Sequence, residues 1–330
     1  MQRPVLLAPD SFKGTFRATE VAAAMARGLE SAGILPADRC PVADGGEGTM
    51  EVLLLALGGE TAGARVHDPL GREIDAGFAL VEEGGTAIVE TAQASGLALV
   101  AEEERDAEAA STYGTGELIL AAAQTGARVV LVSVGGSATT DGGAGAIEAI
   151  REGGGLGGAK LVVLCDVRTP WERAAAVFAP QKGADPGAVR RLARRLDRLA
   201  ARLPRDPRGM PMTGAAGGLS GGLWAAFGAA LEPGAPFVLD ALGFDERMRA
   251  ARAVVTGEGR LDGQSLLGKA VGEIGNRCRQ AGVPLHAIVG ENAMDLFDAR
   301  RIDLQSIREA RTLAEVEAAA EALGAALPRA

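Results

Sequence analysis

Short apolar runs and helical repeats alternate at the start of the chain. "VLLAPD" (5–10) is an apolar run that ends at an acidic residue, a pattern typical of a buried parallel strand. Val21, Met25 and Leu29 then recur every four residues, which predicts a helix that ends at Gly33. This opening predicts a strand followed by an amphipathic helix.

The same order repeats once more. "CPVAD" (40–44) predicts a second strand, and "EGTMEVLLLALGG" (47–59) predicts a second helix that ends at Gly58. Strand, helix, strand and helix in succession indicate the beginning of an open α/β sheet.

The pattern changes after residue 64. Over 64–91 the runs become strand-like and are separated by the turn signals "DPLG" and "EEGG", which predicts an antiparallel meander. Helix and strand alternate again from residue 114, and a basic amphipathic helix is predicted over about 187–203. The last section predicts a βαβ unit and a final helix from about residue 312.

These elements predict an α/β protein with two domains. We expect a Rossmann-like parallel-sheet domain made of residues 1–65 and 245–330, because both sections have the βαβ pattern. Residues 66–244 form a second α/β domain, inserted into the first, that contains the antiparallel meander.

Composition and charge exclude several classes of protein. The net charge of −9 and the pI near 5.0 argue against a nucleic-acid-binding protein, which usually has a basic face. No apolar run approaches the ~18 residues of a membrane-spanning helix. The first apolar stretch is too short for a signal peptide, so we expect no membrane partner and a cytoplasmic location. The cysteines lack metal-site spacing, and both histidines look structural, which leaves acid–base chemistry to carboxylates.

Lysine is used sparingly and in particular places. Of the 34 Lys and Arg residues only four are lysine, and Lys13, Lys182 and Lys269 each lie next to a glycine in a predicted loop. A surface cation in this chain is almost always arginine. Lysine beside flexible backbone therefore indicates ammonium groups with a specific task.

Five loops combine glycine with charged residues. They are "DSFKG" (10–14), "DGGEGT" (44–49), "GGSATTDGGAG" (135–145), "PQKGAD" (180–185) and "TGEGRLDGQS" (256–265). Glycine lets backbone N–H groups approach an anion, lysine and arginine neutralise phosphate, and carboxylates bind Mg²⁺. Together these groups fit phosphoryl transfer from a nucleotide.

The common nucleotide motifs do not match. "GQSLLGKA" (263–270) resembles a P-loop, but Ala270 stands where Ser or Thr should bind Mg²⁺, and the string begins six residues after the predicted strand. "GEGRLD" (257–262) ends in Asp262 instead of the third glycine of a dinucleotide site. A kinase with this sequence would use a different nucleotide site.

A set of longer strings resembles one known family. "APDSFKGT", "PVADGGEGT", "ETAQASGL", "TYGTGELI", "GGSATTDGGAG", "VFAPQKGA", "GAAGGLSGGL" and "TGEGRLDGQSLLGK" occur between residue 8 and about residue 290. In content and order they are similar to the bacterial glycerate kinases of the first type. The resemblance implies a two-domain α/β fold and phosphorylation of D-glycerate with ATP and Mg²⁺, usually to 2-phosphoglycerate.

The resemblance also implies site residues, to which we assign roles. The predicted catalytic residues are Lys13, Asp166 and Asp262. The predicted substrate-binding residues are Asp10, Ser11, Asp44, Gly45, Gly46, Glu47 and Arg260, with Asp44 and Glu47 also predicted to bind the metal ion. The predicted nucleotide- and phosphate-binding residues are Gly135, Gly136, Ser137, Asp141, Gly142, Lys182 and Glu258.

Physical arguments support some of these roles. Arg260 could bind the glycerate carboxylate with two hydrogen bonds, although it could equally cap a helix or form a salt bridge. Lys13 suits a transferring phosphate, because it is a compact charge on a mobile stem. Asp166 or Asp262 would accept the hydroxyl proton, and Asp141 is as plausible as a helix N-cap as in a catalytic role.

The chain departs from the family pattern in three places. Thr140 stands where the family has asparagine, and Arg168 lies close to Asp166 in an altered segment. The segment between Asp141 and Asp166 is shorter than in the family. Substrate choice and the contacts between subunits are therefore the properties in which this chain could differ from the family.

Alternatives remain at this point. The product could be 3-phosphoglycerate, or the substrate another small hydroxy acid. A NAD-dependent dehydrogenase lacks its fingerprint here, and a non-catalytic sugar-acid sensor would need no Mg²⁺-binding carboxylates. A homodimer is also compatible with the sequence.

Overall fold

The computed structural model describes residues 3–266 and 268–327, and the chain forms two compact units. The first unit runs to Asp44 and resumes at Ala235, and the second unit is Gly45–Gly234. The predicted divisions at 65 and 245 therefore lie later than the observed ones. The reason is that the second predicted helix and the strand after it pack on and pair with the sheet of the second unit.

The elements are numbered in chain order. The strands are β1 (Val5–Pro9), β2 (Ala37–Arg39), β3 (Glu60–His67), β4 (Glu73–Val81), β5 (Thr86–Glu90), β6 (Val129–Val134), β7 (Lys160–Cys165), β8 (Ala230–Pro233), β9 (Ala253–Gly257), β10 (Arg260–Leu261), β11 (Leu285–Val289), β12 (Glu291–Asn292) and β13 (Leu304–Glu309). The helices are α1 (Ala18–Ser31), α2 (Thr49–Leu57), α3 (Thr91–Ser95), α4 (Tyr113–Gln124), α5 (Ala144–Glu152), α6 (Ala174–Phe178), α7 (Pro186–Ala200), α8 (Leu219–Phe227), α9 (Gly234–Ala241), α10 (Phe244–Ala250), α11 (Ala270–Ala281), α12 (Leu296–Arg301) and α13 (Leu313–Ala326).

The first unit is built on a parallel five-stranded sheet with the order β13-β11-β9-β1-β2. Alternate side chains of its strands face two different cores. Val255 and Ile288 pack with α1 and α13 on one face, whereas Ala287 and Val289 pack with α11 on the other. The chain leaves β1 toward β2 on one side and returns as β9 on the other. This reversal of strand order makes the boundary between β1 and β9 a topological switch point, as in Rossmann-like folds.

One strand of this unit was predicted at the wrong residues. The strand expected over 40–44 is β2, which covers Ala37–Arg39. Cys40 and Val42 still donate backbone hydrogen bonds to Leu7 and Pro9, over 2.7 and 2.9 Å. Pro9 of β1 has no N–H to donate to the Cys40 carbonyl, so the regular parallel pairing ends at Arg39 although the segment continues beside β1.

The second unit has a mixed six-stranded sheet with the order β3-β4-β5-β6-β7-β8. β3, β4 and β5 pair antiparallel, which confirms the predicted meander, and β5 to β8 pair parallel. Val89, Val132 and Val163 from three neighbouring parallel strands are fully buried in its core with Leu118 of α4 and Leu219 of α8.

The predicted basic helix is α7, which begins at Pro186. Asp185 caps it by accepting a hydrogen bond from the Ala188 N–H over 2.7 Å. Leu192 and Leu196 are buried against Trp171, and the arginines lie on the exposed face. Throughout the described ranges, no helix combines the length and apolar character needed to span a membrane.

Candidate active site

A cleft of about 420 Å³ lies in the first unit at the carboxyl ends of its parallel strands. Asp10, Ser11 and Lys13 follow β1, and Glu258 and Arg260 come directly after β9. Its other charged lining residues are Lys269, Glu291 and Arg311. The carboxyl edge at a switch point is where open α/β sheets bind their ligands.

Two of the loops around the cleft run side by side. Gly290 donates to the Glu258 carbonyl over 3.1 Å, and Glu291 donates to the Gly259 carbonyl over 3.0 Å. A Cβ atom on Gly290 would overlap the Gly259 carbonyl group, so the loops can approach this closely only with glycine there. The result is the short parallel pair β10 and β12, in which Arg260 is opposite Glu291.

Arg260 is therefore held between two carboxylates. Its Nη1 atom lies 3.3 Å from Glu291 Oε1, and its Nε atom lies 3.5 Å from Asp262 Oδ2. The Arg260 side chain remains 59% exposed. These ion pairs agree with the salt-bridge alternative for Arg260, and the exposure leaves its donors accessible from the cleft.

Carboxylates of the cleft are buried close to one another. Asp10 is 6% exposed, and burial, followed by the charge of Asp44, raises its pKa well above the usual value. Burial is also the main cause that raises the pKa of Glu258 to about 6, with a smaller contribution from Asp44. Glu258 Oε1 has no hydrogen-bond partner among the described residues. The cleft thus stabilises positive charge brought close to these groups.

Two lysines lie beside these carboxylates. Lys13 Nζ is 3.4 Å from Asp44 Oδ2, and the Lys13 side chain is half exposed. Lys269 Nζ is 3.8 Å from Glu258 Oε2. Lys269 lies just before α11, whereas Leu267 of the P-loop-like string lies outside the described residues.

The cleft brings together residues from two predicted groups. Asp10, Ser11 and Arg260 were predicted to bind substrate, whereas Glu258 was predicted to bind nucleotide, and all of them line the same cavity. Asp262 does not line it, although it pairs with Arg260 and accepts a hydrogen bond from the Gln264 N–H over 2.9 Å.

Sequence reasoning missed two charged residues of the cleft. Glu291 and Arg311 follow β11 and β13. Glu291 lies next to a glycine after an apolar run, which is the same pattern that identified the other site loops, so the sequence could have indicated it. Arg311 carries no such signal, because β13 itself was not predicted.

A second polar cluster lies in the second unit, on the loop that follows β6. Lys182 is 3% exposed, and its Nζ donates to Ser137 Oγ over 2.9 Å and to the Thr139 carbonyl over 2.5 Å. Burial lowers the pKa of Lys182 to about 7, against the opposing effect of Asp141 and Asp166. The cluster therefore places a buried amine under the glycine-rich loop.

Two hydroxyl groups of the same loop lack partners. Thr139 and Thr140 are fully buried, and within the described ranges neither Oγ1 atom has a hydrogen-bond partner. A buried hydroxyl without a partner costs free energy, on the order of 1–3 kcal/mol. A ligand with acceptor atoms would satisfy these groups.

Asp141 holds the start of α5. Its Oδ2 atom accepts from Thr112 N, Thr112 Oγ1 and Gly145 N over 2.9, 2.8 and 3.2 Å, and Oδ1 accepts from Gly143 N over 3.0 Å. Asp141 is not the N-cap of α5, which is Gly143, but its carboxylate joins the loop before α5 to Thr112 at the start of α4. A role of Asp141 in phosphate binding stays a prediction.

The string "GAAGGLSGGL" packs against the loop after β6. Gly142 N donates to the Gly217 carbonyl over 3.0 Å, and a Cβ atom on Gly217 would overlap the Thr139 carbonyl. α5 and α8 both begin after glycines, Gly143 and Gly218, and neither helix has a side-chain cap. The starts of α5 and α8 thus lie on closely packed glycine-rich segments, and at α5 the Asp141 carboxylate already accepts the N–H groups of Gly143 and Gly145.

The remaining predicted residues of the second unit surround this loop. Gly45 accepts a hydrogen bond from Val134 N over 3.1 Å, and a Cβ atom on Gly135 would lie 2.6 Å from Gly46 Cα. Glu47 is exposed, and Asp166 follows β7 and is half buried. These positions leave the predicted roles open.

The predicted metal ligands are not part of a ready-made cluster. Asp44 and Glu47 lie in the first and the second unit, respectively. In the part of the chain that the structure describes, no group of three or more His, Cys, Asp or Glu side chains could hold a metal ion.

Comparison with known proteins gives one consistent result. A model of the "Glycerate kinase family" matches residues 5–152 and 154–327. A glycerate kinase from Halalkalibacterium halodurans is 38% identical in a match that covers 87% of this chain and 85% of the relative. The glycerate 2-kinase of Escherichia coli K12 is 36% identical in a match that covers 88% of this chain and 86% of the relative.

A solved structure agrees with these relatives. A crystal structure of a protein from Salmonella typhimurium LT2, assigned as glycerate kinase 2, superposes with a TM-score of 0.82 at 32% identity. The match covers 99% of this chain and 98% of that chain. The chain therefore belongs to the glycerate kinase family, and it is a phosphotransferase.

Proposed function

We propose that the protein phosphorylates D-glycerate with ATP and Mg²⁺ and releases 2-phosphoglycerate. Among the relatives, the Escherichia coli enzyme is named glycerate 2-kinase, which favours transfer to O2. The observation that carries the proposal is the cleft of the first unit, where exposed cations and buried carboxylates lie at the carboxyl ends of β1 and β9.

The cleft fits a small hydroxy acid. The Arg260 guanidinium has the planar donor geometry that binds a carboxylate with two hydrogen bonds. Asp10 and Ser11 are positioned on the adjacent loop, where they would bind the hydroxyl groups of glycerate. Lys13 would bind a phosphate oxygen, because its side chain is half exposed and ends in a compact positive charge on a flexible stem.

The loop after β6 fits the phosphate groups of a nucleotide. The Thr139 and Thr140 hydroxyls need acceptors, and Lys182 supplies an ammonium group next to them. ATP supplies the phosphoryl group that is transferred, and Mg²⁺ neutralises its charge. Mg²⁺ is commonly bound by one or two carboxylates together with water and phosphate, so Asp44 and Glu47 could serve without a third protein ligand.

A carboxylate would accept the hydroxyl proton, and Asp166 and Asp262 remain the two candidates. Asp262 Oδ1 accepts from Gln264 N, which holds this carboxylate in one orientation. Asp166 is half buried and follows a buried strand. We expect the enzyme to act in the cytoplasm.

The ³¹P NMR spectrum of the product tests the reaction. Incubation with D-glycerate, ATP and Mg²⁺ should give a phosphomonoester doublet, because phosphorus at O2 couples to the single C2 proton. A triplet would show coupling to the two C3 protons and would establish the 3-kinase alternative. Lactate, which lacks the second hydroxyl, and glycerol, which lacks the carboxylate, test whether both groups are needed. No ATP-dependent product from D-glycerate would contradict the proposal.

A further inference from the structure

The sheet of the second unit ends in two edge strands of different kinds. β8 is four residues long and contains Pro233. β3 is eight residues long, contains no proline, and pairs with β4 in unbroken register from Glu60↔Leu80 to His67↔Glu73. Short strands, prolines and bulges are devices that prevent an edge from pairing with another chain. β8 has two of these devices and β3 has none.

The free backbone groups of β3 can be identified from its hairpin. Asp68 N donates to the Arg72 carbonyl over 2.8 Å, which fixes the alternation of the antiparallel ladder. It follows that the even-numbered residues of β3 exchange hydrogen bonds with β4, while the N–H and C=O groups of Thr61, Gly63 and Arg65 point to the open edge. Glu117 Oε2 accepts the next outward N–H, that of His67, over 2.8 Å.

The open stretch of β3 is exposed and has small side chains at its centre. Its outward-facing residues are exposed: Thr61, Gly63 and Arg65. Within the described ranges, the backbone groups that these residues direct to the open edge have no hydrogen-bond partner. The central side chains are Ala62, Gly63 and Ala64, so nothing bulky at its middle would keep another strand away. Thr61 and Arg65 lie symmetrically on either side of Gly63.

Exposed apolar side chains lie directly before this strand. Leu55 is 64% exposed and Leu57 is 41% exposed at the end of α2, which packs against β4 and β5. Only the linker of Gly58 and Gly59 separates them from β3. Apolar side chains beside an open strand edge are typical of an interaction surface.

We propose that this edge joins two copies of the chain, with β3 pairing antiparallel to the partner's β3 about a twofold axis at Gly63. The rotation places Gly63 opposite the partner's Gly63 and Thr61 opposite the partner's Arg65. Because the three outward-facing residues are spaced symmetrically, each outward N–H then meets a carbonyl of the other copy. A twofold contact of this kind is closed and does not extend into a fibre.

Charge does not oppose a second copy at this surface. The chain has a net charge of −9, so two copies repel each other unless they meet through a patch without excess acid. Glu60 and Arg65 carry opposite charges on β3, and Arg65 Nε lies 3.6 Å from Glu73 Oε2 on β4. In the proposed register Arg65 faces the neutral Thr61 side chain, so no like charges are directly opposed.

Opposite charge changes at Thr61 test the register. Thr61→Arg puts arginine opposite the partner's Arg65 in both symmetric pairs, whereas Thr61→Glu creates an ion pair in both. Cross-strand pairs of this kind change the dimer Kd by roughly 2- to 30-fold for the two together. Sedimentation velocity from about 1 to 100 µM should show a dimer that Thr61→Arg weakens and Thr61→Glu strengthens.

Repulsion between the net charges of two copies predicts the reverse order of dimer strength for the two Thr61 variants. Thr61→Arg lowers the magnitude of the negative charge and Thr61→Glu raises it, so general repulsion would strengthen the first dimer and weaken the second. Ser31→Arg and Ser31→Glu, at an exposed position of the first unit, make the same charge changes away from β3 and measure this general effect.

A third variant tests the backbone pairing. Gly63→Pro removes an outward N–H without removing a bond to β4, so the protomer should fold normally and the dimer Kd should rise by about tenfold or more. Circular dichroism verifies the fold of each variant. A monomeric wild type would overturn the proposal and leave the edge to another protein. The proposal would also be overturned if Gly63→Pro left the dimer Kd unchanged, or if Thr61→Arg and Thr61→Glu changed the Kd in the same direction.

Discussion

At the scale of single residues, the position of Lys13 explains why lysine is used there. Its side chain is half exposed, and the ammonium group at the end of the flexible stem lies 3.4 Å from one carboxylate oxygen of Asp44. A guanidinium at this site would be larger and would form two hydrogen bonds in a fixed plane, which suits a carboxylate better than a moving phosphate.

We therefore expect Lys13→Arg to lower kcat by about tenfold or more although the charge is kept. Steady-state kinetics with D-glycerate and ATP measure the effect. Lys160→Arg, at an exposed position at the start of β7, is the matched control and should leave kcat unchanged. Normal turnover of Lys13→Arg would show that the shape of the cation does not matter.

Replacement of the two candidate bases gives a second prediction. Asp166→Asn and Asp262→Asn should both fold, and at least one should lose more than about 100-fold in kcat, because general-base catalysis contributes roughly 10²–10⁴-fold. Thermal unfolding of each variant controls for stability. If both variants turn over at nearly the normal rate, neither carboxylate accepts the hydroxyl proton.

Glu258 gives a prediction for the pH dependence of stability. Its pKa is about 6 in the folded protein against an ordinary value of 4.5, mainly because of burial. The folded state therefore binds more protons than the unfolded state between these values, and this group lowers stability as pH rises through that window. Asp10 acts in the same direction.

Glu258→Gln should consequently stabilise the protein at pH 7.5 by about 1–2 kcal/mol. Near pH 4 the difference should vanish, because Glu258 is then protonated in both states. Urea unfolding of the two proteins at both pH values measures the free energy of unfolding. An equal difference at both pH values would mean that the effect is not caused by ionisation.

At the scale of elements, periodicity located the long helices and the buried strands well. α1 and α7 were recognised from their amphipathic patterns, and β1 from its continuous apolar run. β13 was missed because it reads LQSIRE, with a burial pattern that is mostly intermediate and gives no clean alternation. The strand predicted over 40–44 lies beyond β2 because Pro9 of β1 has no N–H for the Cys40 carbonyl, which ends the pairing at Arg39.

The packing of the two glycine-rich segments could not be read from the sequence. Gly217 approaches the Thr139 carbonyl so closely that a Cβ atom has no room, and its φ is +66°. Both requirements depend on a partner about eighty residues earlier in the chain. Composition indicated that these loops were unusual but not that they touch.

Gly217→Ala should therefore destabilise the protein by about 2–3 kcal/mol, since both overlap and backbone strain oppose it. Gly209→Ala is a matched control, because Gly209 has a φ of +74° but open space around its Cβ position. The control should cost only about 1–2 kcal/mol, the value of the backbone strain. Equal losses in chemical denaturation would show that close packing at Gly217 is unimportant.

At the scale of the whole molecule, the sequence predicted two α/β units and an interruption of the first by the second. The predicted boundary was too late. The change in the apolar pattern after residue 64 marks the antiparallel meander, whereas the second unit begins earlier, at Gly45. α2 and β3 belong to the second unit because α2 packs on β4 and β5 and β3 pairs with β4. Pairing between strands decides a domain boundary, and pairing partners are not visible in local periodicity.

The division into units also yields a test of ligand assignment. With D-glycerate we expect slower hydrogen exchange in the loops 10–14 and 258–262 of the first unit. With ADP we expect it in the loop 135–145 of the second unit, because its unpaired hydroxyls and Lys182 suit phosphate. Mass spectrometry of peptides after exchange measures the protection. If D-glycerate instead protected the loop 135–145 and ADP protected the loops 10–14 and 258–262, the two ligands would bind in the opposite units.

The scarcity of lysine limits how the protein can be labelled. Lys182 is buried, Lys269 is partly covered, and the exposed side-chain amines are those of Lys13 and Lys160. Reagents that acylate amines, including those that attach proteins to sensor surfaces, will therefore consume Lys13 in the cleft together with Lys160. Affinities measured after such coupling would describe a modified cleft. Replacement of Lys160 by arginine would turn the same reagents into a selective probe of Lys13, and bound substrate should slow their reaction.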